Sequence, residues 1–298
     1  MAMSIGSIIG GGIRLVRTQP RTIAIWGGLN LVLMVGMMAI FFPAFASMIE
    51  AQRQAAADAA LGMSAPRAIH SEIIATVFLL ELAYCLYILI LFAAAVRAVA
   101  RPTGDRFAYL RIGMDELRLF GLVVLIAIVA IVVEVVAILL LAIIGAMLGA
   151  MIGKAGGIAI TVILGVFLFG AAIYAQIRLS LTGAFTVIRG RIVIRDAWRA
   201  TKGQFWTLFG AYLLIGLVFA VISFAMIAVT NPHLMAAYAS MDPQAINAAA
   251  QEQIARQAAG LSVAMVAQII IGTFLGTVMM AVACGAVATA AVELQADG

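Results

Sequence analysis

Charge is scarce in this 298-residue chain. Asp, Glu, Lys and Arg together make up 10% of it, where a soluble domain carries about a quarter. Too few charges are present to cover a water-exposed surface, which excludes a conventional soluble enzyme. Cysteine is nearly missing: Cys85 and Cys284 stand alone in apolar surroundings, so there is no disulfide scaffold and buried packing is the default for both. Histidine is equally rare, and His70 and His233 lack the companions of a zinc site. No serine stands in a motif with a histidine and an acid. Gly10-Gly11-Gly12 follows no strand and precedes no Lys-Ser/Thr pair, so it is not a phosphate loop. No residue pattern calls for a catalytic centre, a metal or a cofactor.

Apolar residues fill the space that these absences leave. They make up 65% of the chain, with a mean hydropathy of +1.18. A helix needs about 20 apolar residues to cross a hydrocarbon core about 30 Å thick. Six stretches qualify, over residues 22–47, 73–100, 119–151, 158–177, 207–230 and 261–292. Their apolar runs are continuous, without the alternation of a membrane β-strand. Helices also satisfy every backbone group within their own segment, as lipid requires. The sequence therefore predicts an all-α, polytopic membrane bundle in a single integral domain. Ala44-Phe45-Ala46 resembles a cleavage site, but the first run is longer than a signal-peptide core and is expected to remain as a span.

Basic residues set the expected orientation. Fourteen of the eighteen lie in the N-terminal segment, the second-to-third connection and the fourth-to-fifth connection. Arg53, Arg67, Lys154 and Arg256 lie on the other side. The positive-inside rule then puts both termini and the two basic connections in the cytoplasm of a bacterial inner membrane. The pI near 9.6 is thus a topology signal. Nucleic-acid binding would need a basic soluble module, and none is present.

The spans come in pairs with a recurring preface. Ala108-Tyr109 followed by Leu119-Phe120-Gly121 matches Ala197-Trp198 followed by Leu208-Phe209-Gly210 at a constant offset, and Arg106 coincides with Arg195. Leu15, Thr18 and Ile25-Trp26-Gly27 make a weaker third copy. This implies three parallel pseudo-repeats, about 1–100, 101–178 and 179–298, each a cytoplasmic interfacial helix followed by a transmembrane hairpin. Between Gly190 and Gly203, Arg191, Arg195 and Arg199 recur every four residues, continued by Lys202 and flanked by Trp198. In the preceding copy Phe107, Leu110, Met114 and Leu117 would form the apolar face, with Arg111, Asp115 and Arg118 opposite. Such faces favour an anionic leaflet. Arg191, Arg195, Arg199, Lys202, Trp198, Arg106 and Arg111 are the candidate lipid contacts, and Gly113 and Gly203 the expected turns into the next span.

Two external connections, 50–63 and 242–259, are rich in Ala and Gln and prone to helix. They are expected to extend spans or cap the outer face, with Asp242 and Pro243 starting a helix and Gly260 stopping it. Gly272 and Gly276 form a GxxxG pair, and Gly145, Gly149, Gly153 and Gly157 a longer series. Both predict close helix contacts.

The block from Arg178 to Leu214 resembles the membrane domain associated with glycerophosphoryl diester phosphodiesterases, a group of six-span bacterial proteins. The residues that carry the resemblance are Arg178, Ser180, Leu181, Arg195, Ala197-Trp198, Thr201-Lys202-Gly203, Phe205-Trp206 and Phe209-Gly210. The chain departs from that pattern at Gly183, where proline is expected, and at Arg189, where an acid is common. The resemblance implies an inner-membrane helical bundle. It implies no catalysis, since that activity resides in a separate soluble domain which the short external connections here cannot supply.

Glu81 and Glu134 are the sharpest chemical features. Each is an ionisable group inside a span, a costly placement that marks protein interior or a water-filled cavity. Glu81 lies roughly 12 Å from the outer end of the second span and Glu134 about 22 Å from the inner end of the third. Similar depths would allow a shared proton. Asn30, Tyr174, Gln176, Gln268, Thr273 and Thr277 are the other polar groups in spans, with interhelical hydrogen bonding as their default role. Two functions follow. The first is a non-enzymatic inner-membrane protein acting through anionic lipids of the cytoplasmic leaflet, a membrane-protein partner or a second copy of itself, as in envelope maintenance. The alternative is a transporter or channel using Glu81 and Glu134.

Overall fold

Helix is the only regular structure among the described residues of the computed structural model, which are 3–60, 71–102, 107–258 and 262–296. In order they are α1 (Ile5–Thr18), α2 (Pro20–Ala60), α3 (Ser71–Ala100), α4 (Met114–Ile152), α5 (Lys154–Leu179), α6 (Thr182–Arg189), α7 (Ile194–Ala200), α8 (Phe205–Thr230), α9 (Pro232–Ser240), α10 (Pro243–Ala258) and α11 (Val263–Ala296). Six apolar stretches are long enough to cross a bilayer: Pro20–Phe41, Ile74–Ala100, Met114–Ile152, Lys154–Arg189, Phe205–Thr230 and Met265–Gln295. They coincide with the six runs read from the sequence, and the chain is a multi-pass membrane protein.

The outer surfaces of these helices fit that setting. The most apolar window of α4 is only 6% buried and that of the α5 span 0%. Ile131, Val133 and Phe167 are exposed. In water so much bare apolar surface would drive aggregation; against lipid tails it is at home. Helices that share lipid as solvent associate by packing and hydrogen bonds rather than by the hydrophobic effect. Small and polar residues therefore decide the contacts.

The chain gathers into two compact units. The first comprises Met1–Arg17, Leu89–Leu214 and Val282–Gly298, the second Thr18–Ile88 and Ile215–Ala281. The division does not follow the pseudo-repeats: the first unit draws on all three, the second on the first and third.

In the first unit α1 docks its glycine face on the end of α11. A side chain at Gly12 would put its Cβ 2.2 Å from the Val282 carbonyl oxygen, and one at Gly11 would meet Thr289 Oγ1 at 2.1 Å. Ser7 Oγ donates to Glu293 across the same contact at 3.0 Å. The helices α4 and α5 form a hairpin closed by glycine. A Cβ at Gly157 would lie 2.6 Å from the Gly149 nitrogen, and one at Gly145 would meet Thr161 Oγ1 at 2.6 Å. The predicted contact at Gly145–Gly157 is present. At Gly272 and Gly276 a Cβ would meet open space, so the expected close approach there does not occur.

In the second unit Asn30 Nδ2 donates to Thr277 Oγ1 at 3.0 Å, and Tyr87 OH donates to the Trp26 carbonyl at 3.0 Å. These bonds tie α2 to α11 and to α3. The outer connections follow expectation in part. α2 runs on to Ala60, so the first connection extends its span. The second forms α10, with the Gln244 amide donating to Asp242 Oδ1 at 2.9 Å and Pro243 in the first turn, and α9 precedes it as an unforeseen short helix. Gly260, Arg67 and His70 lie outside the described residues.

The repeated surface helices depart further from expectation. Among the described residues the second copy has no helix before its span: residues 107–112 form a turn and α4 starts only at Met114. Ala108 and Tyr109 take left-handed backbone angles, φ 52° and 61°, which no right-handed helix admits and which strain non-glycine residues. Gly113 is the N-cap of α4, as expected of a turn into the span. The third copy is helical only over Ile194–Ala200, between left-handed glycines Gly190 (φ 64°) and Gly203 (φ 83°). α1 gives the first copy a full helix.

Candidate functional site

The densest cluster of functional side chains lies in the first unit, where α5, α6, α7 and the start of α8 meet. α7 is too short to hold its place by backbone bonding alone, so tertiary contacts must fix it. Arg178, at the end of α5, supplies them. Its Nη2 donates to the Trp198 carbonyl at 2.6 Å. Its guanidinium lies 4.7 Å from the Trp198 ring centroid and 5.8 Å from that of Tyr174. Thr201 is buried and its hydroxyl donates back to the Arg178 carbonyl at 3.2 Å. Ser180 Oγ and Tyr212 OH lie 2.9 Å apart, adding a tie from α5 to α8.

With Trp198 pinned, the basic residues around it face outward. Arg191, Arg195, Arg199 and Lys202 are all exposed. Asp196 is occupied by Arg189 at 2.5 Å and approached by Arg191 at 3.7 Å. Among the described residues Arg195, Arg199 and Lys202 form no ion pair. Trp206, 75% exposed, stands beside them and packs edge-on against Phe205 and Phe209. Arg195 and Arg199 share the helix α7, whereas Arg191 and Lys202 flank it in turns. The every-fourth-residue stripe thus survives only in its middle.

Arg111 is exposed in the turn before α4, near Phe107 and Ile112, both exposed. Arg106 lies outside the described residues.

Sequence reasoning missed a second feature. Arg97 and Arg178 count in the sequence as loop charges that set topology. Both are instead largely buried: Arg178 is 5% exposed, and the Arg97 side chain 13%. Arg97 Nη1 donates to the Tyr109 carbonyl at 2.9 Å, as Arg178 does to Trp198. Tyr109 and Trp198 are equivalent positions of the repeat. In both copies an arginine at the end of one span grips the backbone of the aromatic residue that leads into the next. The arginines do not align at the constant offset. Twelve residues separate Arg97 from Tyr109 and twenty separate Arg178 from Trp198, and the extra eight equal the length of α6. The signal that could have found them is an arginine at the end of an apolar run in both copies. Arg97 has a further partner: its Nη2 is ion-paired with Glu116, whose other oxygen accepts the Gly113 amide at 2.9 Å.

The intramembrane acids sit differently from expectation. Glu81 is exposed on α3 in the second unit, and Glu134 is exposed on α4 in the first. Neither makes a hydrogen bond or ion pair among the described residues, and neither faces the interior of its unit. The transport reading draws no support from these positions. No three His, Cys, Asp or Glu side chains converge among the described residues as a metal site would need. In comparisons with known proteins, no family model, no curated protein and no solved structure matches the chain.

Proposed function

We propose that this protein is a bacterial inner-membrane protein, with both termini in the cytoplasm, that performs no chemistry of its own and acts through contact. Its cytoplasmic face holds anionic lipid headgroups against Arg195, Arg199 and Lys202, with Trp198 and Trp206 at headgroup depth. Arg191 and Arg111 extend the same face. The observation that carries this reading is the set of three exposed cations without ion-pair partners on a segment clamped in place by Arg178. Basic side chains near an anionic surface contribute about 1 kcal/mol each, and salt weakens the effect. The likeness of residues 178–214 to the phosphodiesterase-associated membrane domain fits an inner-membrane helical bundle, and envelope maintenance is the setting proposed for it. Glu81 and Glu134 on outward helix faces are costly in lipid. A partner helix, from another membrane protein or a second copy, would relieve that cost.

The test uses the whole protein in proteoliposomes with spin-labelled lipids. The motionally restricted fraction should be larger for phosphatidylglycerol than for phosphatidylcholine. That preference should shrink at high salt and in a variant carrying Arg195→Gln, Arg199→Gln and Lys202→Gln. Equal restriction of the two lipids at low salt, or no change in the triple variant, overturns the proposal. Labelling of a cysteine at position 202 by an impermeant reagent outside intact cells would overturn the orientation.

A further inference from the structure

The second unit contains a cavity of about 510 Å³, far from the basic segments in sequence and built from other helices. Its walls are α2, α8, α10 and α11. Charge is confined to one end of it: Arg256 is the charged residue of the lining, while Gln268 and Thr273 keep single polar groups among the methionines below. The connection from α8 to α11 lies at one end, and there the lining is Asn231, Gln253, Arg256 and Ser262. Farther along the helices it becomes Met34, Met38, Met226 and Met265, down to Gly272 and Thr273. Gln268 is the one amide on the lower wall. At Gly272 a Cβ would meet open space, so glycine keeps the cavity deep. One helical turn below Met34 and Thr273 stand Asn30 and Thr277, hydrogen-bonded to each other at 3.0 Å.

From the charge at one end and the four methionines below it we infer that the cavity is a binding site for one single-chain amphiphile, its acyl tail among the methionines and its anionic head at the Arg256 end. Thioether side chains adapt to a flexible tail better than branched ones. The size admits an acyl chain: an acyl methylene fills roughly the volume of one water, ~30 Å³, so about 510 Å³ is room enough for a tail of about sixteen carbons. The head end offers directed donors. Arg256 uses one N–H on Glu252 at 2.5 Å, and a guanidinium has five in a planar fork. The amides of Asn231 and Gln253 and the Ser262 hydroxyl stand around it. Asn231 Nδ2 gives one N–H to Thr230 Oγ1 at 3.0 Å and has a second to offer, and a carboxylate or phosphate head accepts from these donors.

The probe is a sixteen-carbon fatty acid with a diazirine near its methyl end, photolysed with the full chain in nanodiscs. Labelled peptides should contain Met34 and Met38, Met226, or Met265 to Thr273. Labelling should saturate and be competed by unlabelled fatty acid or a single-chain phosphate lipid, but not by acetate or inorganic phosphate. Gly272→Phe, which fills the lower cavity, should weaken it about tenfold. Arg256→Gln lies on the outer helix α10 and tests the head without touching the bundle. It should abolish the preference for the acid over the alcohol of equal length. Label that spreads over lipid-facing positions such as Val133 and Phe167 without saturating overturns the inference. So does competition by acetate or inorganic phosphate, an unchanged yield in folded Gly272→Phe, or an unchanged acid preference in Arg256→Gln. None of these outcomes bears on the cytoplasmic lipid contacts, because no residue is shared.

Discussion

Replacing Glu116 by glutamine should destabilise the first unit more than any other single isosteric change. The Arg97 and Glu116 side chains are 13% and 9% exposed, so neither charge is well hydrated. Removing one partner of a buried pair costs about 3–5 kcal/mol, because the other charge stays behind uncompensated. The residual exposure of Arg97 and its bond to the Tyr109 carbonyl place the value near the lower end, at about 3 kcal/mol. Glutamine can still accept the Gly113 amide, so the helix cap is retained. Glu116→Ala removes that cap as well and should cost about 1 kcal/mol more. Arg97→Met with Glu116→Leu deletes both charges. It should cost less than Glu116→Gln alone despite losing the Tyr109 bond, since a well-packed apolar pair often replaces a buried ion pair without loss. The measurement is reversible unfolding in mixed micelles of increasing SDS content, followed by tryptophan fluorescence, with Arg97→Met and Glu116→Leu made singly to complete a double-mutant cycle. If Glu116→Gln lies within about 0.5 kcal/mol of the parent, or the double variant is the least stable, the pair is not the buried anchor described here.

Two further outcomes follow from local geometry. Gly157→Leu should force α4 and α5 apart, because its Cβ would lie 2.6 Å from the Gly149 nitrogen and 2.7 Å from its Cα. The expected loss is at least about 1–3 kcal/mol in the same titration. Gly165→Leu, which meets open space, should stay within about 0.5 kcal/mol, and equal effects at the two sites would refute the contact. On α10 the Arg256 hydrogen bond holds the Glu252 carboxyl below the usual glutamate range, with the Arg256 charge adding to it. A depressed carboxylate stabilises its helix at pH above its unfolded value and loses that contribution as pH falls through the depressed one. Carboxyl NMR should show a Glu252 midpoint below about 4.3 that rises in Arg256→Gln; an unmoved midpoint would show that the pair does not persist.

The spans were legible because hydropathy belongs to each segment alone. Twenty apolar residues must leave water whichever neighbour they meet, so all six stretches could be placed from residue types. The start of α10 was legible for the same reason: Asp242 and Pro243 act on their own backbone. The glycine pairs show where local reading stops. Gly145–Gly157 and Gly272–Gly276 carry the same spacing, yet only the first meets a helix, because close approach is a property of two surfaces. The acids Glu81 and Glu134 show it again, since depth along a helix is readable from sequence and facing is not. The turn at Ala108 and Tyr109 has no local signature either. It exists because Arg97 reaches its carbonyl and because Arg97 is itself held by Glu116, a choice made across three segments. The eight residues of α6 hide the matching role of Arg178 from any constant-offset comparison. Composition thus decided that this chain lives in lipid and how often it crosses. Which arginines stay exposed and which are locked inside was decided by partners brought together only on folding, since lipid stabilises every apolar face alike and leaves the choice to polar pairs and small residues.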